Sequence, residues 1–350
     1  MSLLVVACLA AATSLANAED FARLAATGLL RQGNLWVLKE ESDWLARIAR
    51  LRPLEKSALS AQQKYAAELL HNERRFGELE QLRRQVQELQ RLAAGTEVSK
   101  GTKARLADQI RANQQLIATL EKEVADPREA DRSPSVRQAL IDWIDRRAEL
   151  AEALLADRGL AASLAARYAE LQRDPGVLAA LGDVAARRRL GPSRTFELQA
   201  AALDKLATNL FSQPLPVYRQ HGIWHVNVVL EERAARTLNF SPNGTEHFLA
   251  ASLLESAGIS VDPHAPDILI QSSGGRTVCG KRIVLANLRI GNVVFTKVAA
   301  VALPPEGEDL GSVLAGKQLA GHRLDIDPAR LEAHLTPNAA PPEPAAAPNR

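Results

Sequence analysis

At 350 residues, with 46% hydrophobic and 24% charged side chains, the chain is globular in class and long enough for two domains. A formal net charge of +2, with no polybasic block beside an aromatic platform, gives no reason to expect nucleic acid as a partner. Aromatic residues are only 4% of the chain, and Ala and Leu supply most of the apolar content, which suits long helices better than one large mixed core.

Met1 to Ala18 is an apolar run that ends in Ala16-Asn17-Ala18 before Glu19-Asp20, the small-residue pattern of a secretory signal cleaved after Ala18. Export to the periplasm or the medium is the expectation, with lipid anchoring through Cys8 as a second reading of the same run. No later apolar run reaches the length of a membrane span. With the leader removed, Cys279 is the one cysteine left, so packing rather than an internal disulfide must stabilise the fold.

From about Asp20 to Phe211 the apolar residues fall at helical spacing, so 19–213 reads as a helical, coiled-coil region. Leu79, Leu82, Val86, Leu89 and Ala93 form one heptad seam, and Leu106, Ile110, Asn113, Ile117, Leu120 and Val124 form another. The turn chemistry between Ala94 and Gly101 predicts that the two seams close as an antiparallel hairpin, with Asn113 as a register pin. A break at Pro127 to Pro134 precedes a helix capped by Ser133, with its seam at Leu140, Trp143, Arg147, Leu150 and Leu154 and on through Leu164, Tyr168 and Leu171. Shorter helices are expected over Gly176 to Arg189 and Ser193 to Phe211. Arg187-Arg188-Arg189 reads as a solvated helix end. The arm carries no catalytic residue pattern, and its roles are spacer, oligomerisation element or docking surface.

At Ser212-Gln213-Pro214-Leu215-Pro216 the period changes to that of strands, which puts a domain boundary near residue 214. Strands are expected at Val226 to Leu230, Thr237 to Phe240, Asp267 to Gln271, Val278 to Asn287, Val293 to Ala302 and Arg323 to Asp327. A Ser241-Pro242-Asn243-Gly244 turn, a helix Leu249 to Ala257 closed by Gly258, and a Ser272-Ser273-Gly274-Gly275 tip lie among them. Residues 336–350 are Pro- and Ala-rich and read as a disordered tail.

The order of these features over Trp224 to Leu335, about a third of the chain, resembles the retropepsin-like, single-lobed aspartic protease domain. In that family a hairpin leads to an Asp-(Thr/Ser)-Gly-Ala-Ser motif and a short helix ending in Leu-Gly-Ile; here Asn239-Phe240-Ser241-Pro242-Asn243-Gly244-Thr245 leads to Ala257-Gly258-Ile259. By the same resemblance Ser272, Ser273, Gly274 and Gly275 are the substrate flap, and Val313, Leu314, Ala315 and Gly316 are the late motif. The resemblance implies an α+β chain of helical hairpin followed by an acid-protease barrel over 214–335, and a homodimer, because a single lobe supplies one of the two carboxylates that share a proton.

Ser241 stands at the aspartate position, where a hydroxyl cannot serve as a carboxylate base or hold the shared proton. Pro242, Asn243 and Ala315 also depart from the pattern. The expectation is a peptide- or protein-binding, or dimerising, module that does not cleave. Its rivals are an active aspartic endopeptidase with a carboxylate from elsewhere, such as a partner chain, and a scaffold whose helical arm carries the function. A serine nucleophile at Ser241 would need a base, and His247 is the only histidine nearby in sequence; Gly-x-Ser-x-Gly is absent. Asp325 and Asp327 read as strand-end and turn residues. His221 and His225 lack a third ligand, so no metal is expected, and no dinucleotide or phosphate loop calls for a cofactor.

Overall fold

The computed structural model describes residues 21–96, 99–127, 133–182, 189–212, 214–271, 275 and 277–338. The leader with Ala18 and Cys8, the pair Arg187-Arg188, flap residues Ser272 to Gly274 and the tail from 339 lie outside them. Two compact units result, each discontinuous in sequence: 1–54 with 151–210, and 55–150 with 211–350.

The first unit contains strands β1 (Leu29–Gln32) and β2 (Leu35–Leu38), helix α1 (Lys39–Ile48), the second half of α4 (Pro134–Leu171), α5 (Pro175–Ala180) and α6 (Arg194–Leu210). The β1–β2 hairpin corrects the expectation that the region from Asp20 is helical throughout apart from its turns. Leu29↔Leu38 to Gln32↔Leu35 pair around a turn that Gly33 closes at φ +61°, a geometry glycine adopts without strain. Of the expected helix from Gly176 to Arg189, Pro175–Ala180 is helical, and 183–188 lie outside the described residues. Arg189 and Leu190 instead lie beside Trp36, whose N–H bonds the Arg189 carbonyl. Polar anchors fix this core. The Tyr168 hydroxyl donates to buried Glu41 at 2.6 Å, and the Trp44 indole donates to the Asp157 carbonyl at 2.9 Å. Burial together with that carboxylate pushes the Tyr168 phenol far above its ordinary range.

In the second unit, α2 (Leu51–Ala94) and α3 (Lys100–Glu123) form the expected antiparallel hairpin, tied by ion pairs Arg83–Glu121 and Arg75–Glu123. Ser99 caps α3 through the Thr102 N–H, so Gly101 lies inside the helix rather than in the turn. The register pin differs from expectation. Asn113 is half-buried and its side chain makes no hydrogen bond among the described residues, whereas buried Asn72 both donates to and accepts from the Ala125 backbone. No residue of α3 is fully buried, and Leu79 and Val86 are the seam positions of α2 that are. At the root of the hairpin Tyr65, Val136, Ala139, Leu140 and Ile144 form a core with Leu331, joined by Tyr218 and Trp224.

The rest of this unit is a ten-stranded sheet in the order β11-β12-β3-β4-β5-β10-β6-β9-β8-β7. Its strands are β3 (Leu215–Gln220), β4 (Ile223–Leu230), β5 (Ala234–Ser241), β6 (His247–Ala250), β7 (Asp267–Gln271), β8 (Thr277–Ile290), β9 (Val293–Leu303), β10 (Val313–Ala315), β11 (His322–Asp327) and β12 (Glu332–Pro337). Val229↔Arg289 and Leu230↔Leu288 join β4 to β8, which closes the middle of the sheet into a barrel. Inward-facing Val226, Val228, Leu230, Leu238, Phe240, Leu285, Leu288, Ile290 and Leu314 fill it, the period-2 pattern of strands with one buried face. Leu249 and Ala250, expected in the short helix, belong to β6. Helix α7 covers Ala251–Ser256, and Gly258 follows it at φ +67°. The last strand runs to Pro337, two residues past the expected end of the domain at Leu335. The architecture is therefore helices followed by a β-barrel.

Candidate functional site

Three short strands cross where the sequence changes most sharply from the protease pattern. Strand β5 leaves through a tight turn, in which the Gly244 N–H bonds the Ser241 carbonyl at 3.1 Å, and the chain returns as β6. Between them lies β10, parallel to β5 and antiparallel to β6, with Ala315 opposite Ser241, Leu314 opposite Phe240 and Val313 opposite Phe248. A central three-residue strand flanked on both sides must be small and apolar, and Leu314 and Ala315 are fully buried.

Two glycines allow the crossing to close. A Cβ on Gly316 would lie 2.6 Å from the Pro242 carbonyl oxygen, and one on Gly244 would lie 3.1 Å from the Ser241 hydroxyl and 3.2 Å from the Ala315 Cα. The close-approach glycine is therefore Gly316, the last residue of the late motif, while Ala315 pairs with Ser241. The Lys317 N–H to Gly244 carbonyl bond at 3.2 Å fastens the two turns together. Pro242, Asn243 and Thr245 are exposed on the outer side of this turn, and Ser241 is half-buried.

His247 is the residue whose role was not legible in the sequence. It is 2% exposed, and its Nδ1 accepts the Ala315 N–H at 3.0 Å from a position 68 residues away in sequence. Accepting there places the ring proton on Nε2, which is buried with no hydrogen-bond partner. Burial pulls the imidazole pKa down to about 4, since a low-dielectric site penalises the charged form. The ring is thus a neutral brace for the crossing. Neither of its nitrogens hydrogen-bonds the Ser241 hydroxyl.

No carboxylate contacts Ser241 within the described residues. Glu246 pairs with Arg282 at 3.2 Å. Asp325 and Asp327 lie on β11, four strands from β5 across β12, β3 and β4. Asp325 holds Arg323 and Thr336, and Asp327 accepts from the Ala329 and Arg330 N–H groups of a turn. His225 stacks on Tyr218 at 4.5 Å, and His221 occupies a turn at φ +51°. Among the described residues no three His, Cys, Asp or Glu side chains are placed to hold a metal ion, and no helix is long and apolar enough to cross a membrane. The flap segment is the tip of the β7–β8 hairpin, whose last pair is Gln271↔Thr277. Of its four residues, Gly275 is described, at φ +79°.

No curated protein matches this chain. A crystal structure of a retropepsin-like aspartic protease from Rickettsia conorii is matched at 13% identity and a TM-score of 0.26, over 33% of this chain and 94% of that one. The family model described as aspartyl protease matches residues 244–319, beginning just after Ser241, Pro242 and Asn243 and ending at the β10 segment. That match runs from the turn after β5 through β6 and β10, and over it the carboxy-terminal part of the chain is similar to an aspartyl protease domain.

Proposed function

We propose that this domain binds an extended peptide or a partner protein without cleaving it, and that the helical hairpin rooted on it presents it to that partner. The observation that carries the reading is the pairing of Ser241 with Ala315 at the crossing, the place where the resemblance would put a catalytic aspartate, with no carboxylate of the described residues bonded to the Ser241 hydroxyl. A hydroxyl there cannot share a proton with a second carboxylate or activate water as a base. The matched family stretch begins beyond Ser241, which accords with a departure from the pattern at that motif. The apolar run ending at Ala18 places the protein outside the cytoplasm in this reading.

The test is an assay of the purified protein against a peptide library from acidic to neutral pH. Binding without turnover is the expected result. Pepstatin-sensitive cleavage that disappears in Ser241→Ala would overturn the proposal in favour of an active endopeptidase. Mass spectrometry of the exported chain should find its amino terminus at Glu19. Deleting 21–211 separates the binder from the scaffold: partner binding that survives resides in the barrel.

A further inference from the structure

We infer that the free edge of the barrel sheet, β7, is a contact between two copies of this chain, formed by antiparallel pairing of Asp267–Gln271 with itself about a two-fold axis at Leu269. Among the described residues, strand β7 is the last in the sheet order and pairs on one side, with β8. Unpaired edges template further pairing unless charge, proline or a bulge blocks them, and this edge has no proline and no bulge in its five-residue register with β8. Leu269 at its centre is 76% exposed, the most exposed of the large apolar side chains described.

The sequence Asp-Ile-Leu-Ile-Gln reads nearly the same in both directions, as an isologous contact requires. Centring the pair on Leu269 sets Ile268 opposite the partner's Ile270 and Asp267 opposite the partner's Gln271. Each β7 residue already has a β8 neighbour: Asp267 is beside Lys281, with an ion pair of 2.7 Å, Leu269 beside Cys279, and Gln271 beside Thr277. Across four strands the outer rows therefore read Lys281, Asp267, the partner's Gln271, the partner's Thr277. No like charges meet, and each carboxylate gains an amide donor. The central row is Cys279, Leu269, the partner's Leu269, the partner's Cys279, which covers the exposed leucine. This complementarity selects a second copy over an unrelated peptide, and it is independent of the chemistry at Ser241.

The geometry makes a specific forecast for the thiols. Cys279 is exposed and free, and two strands separate it from its partner's Cys279. Three strand spacings put the two Cα atoms about 14 Å apart on one face, too far for a disulfide. In a full-length Cys8→Ser protein, whose sole thiol is Cys279, a bismaleimide long enough to bridge that gap should yield a covalent dimer, while oxidation should not. Leu269→Lys should abolish the crosslink with an unchanged circular dichroism spectrum. Gln271→Asp, which sets two carboxylates side by side, should reduce the yield, and Gln271→Lys should raise it. The inference is overturned by the absence of crosslinking in the parent, by full crosslinking in Leu269→Lys, by both Gln271 variants moving the yield the same way, or by ready disulfide formation.

Discussion

The helical hairpin of the second unit and the strand crossing of the barrel bury apolar surface in opposite ways. In the hairpin, Leu79, Val86 and their neighbours repeat one kind of contact along α2 and α3, and no residue of α3 is fully buried. Any single layer is dispensable. At the crossing, β10 has three residues, and Gly316, Ala315 and His247 each hold a contact that nothing else in the fold repeats. Redundant contacts tolerate change and singular ones do not, so the braces of the crossing are the more exacting part of the fold.

Acid should strain that comparison most. His247 has a folded pKa near 4 against about 6.5 unfolded. Its contribution is intact above pH 6.5 and is lost as pH falls toward 4, because the unfolded chain takes up a proton that the folded chain refuses. The loss amounts to about 3 kcal/mol, measurable by urea denaturation across that range, and His247→Phe should flatten the slope. Gly316→Ala should cost about 2 kcal/mol or more at neutral pH, from the collision with the Pro242 carbonyl, read as a lowered denaturation midpoint. Asn72→Ala, which leaves the Ala125 N–H and carbonyl without their partner, should cost about 1.5 kcal/mol. Leu92→Gln, on the exposed side of the hairpin, should move the midpoint by less than about 0.5 kcal/mol. If Leu92→Gln destabilises as much as Gly316→Ala, the contrast between redundant and singular contacts fails.

Much of this was legible beforehand. The two heptad seams, the change of period near residue 214, the Ser241–Gly244 turn and the β7–β8 hairpin follow from local patterns that each element satisfies by itself. The β1–β2 hairpin was missed because Leu29, Leu30, Leu35 and Leu38 also satisfy helical spacing, and the Gly33 turn between them is a weak signal. Which residue of the late motif meets the Pro242 backbone was not legible either, because the Val-Leu-Ala-Gly string does not say it.

By itself the sequence determined the helical arm, the succession of most strands along the chain and the serine at position 241, since these depend on periodicity and on side-chain chemistry read residue by residue. Tertiary structure alone decided that β10 lies between β5 and β6, that His247 braces Ala315 from 68 residues away, and that Asn72 rather than Asn113 pins the hairpin. The physical reason is shared. Each is a contact between segments distant in sequence, fixed by steric fit and by the need to satisfy buried backbone groups, and neither condition leaves a local pattern to read.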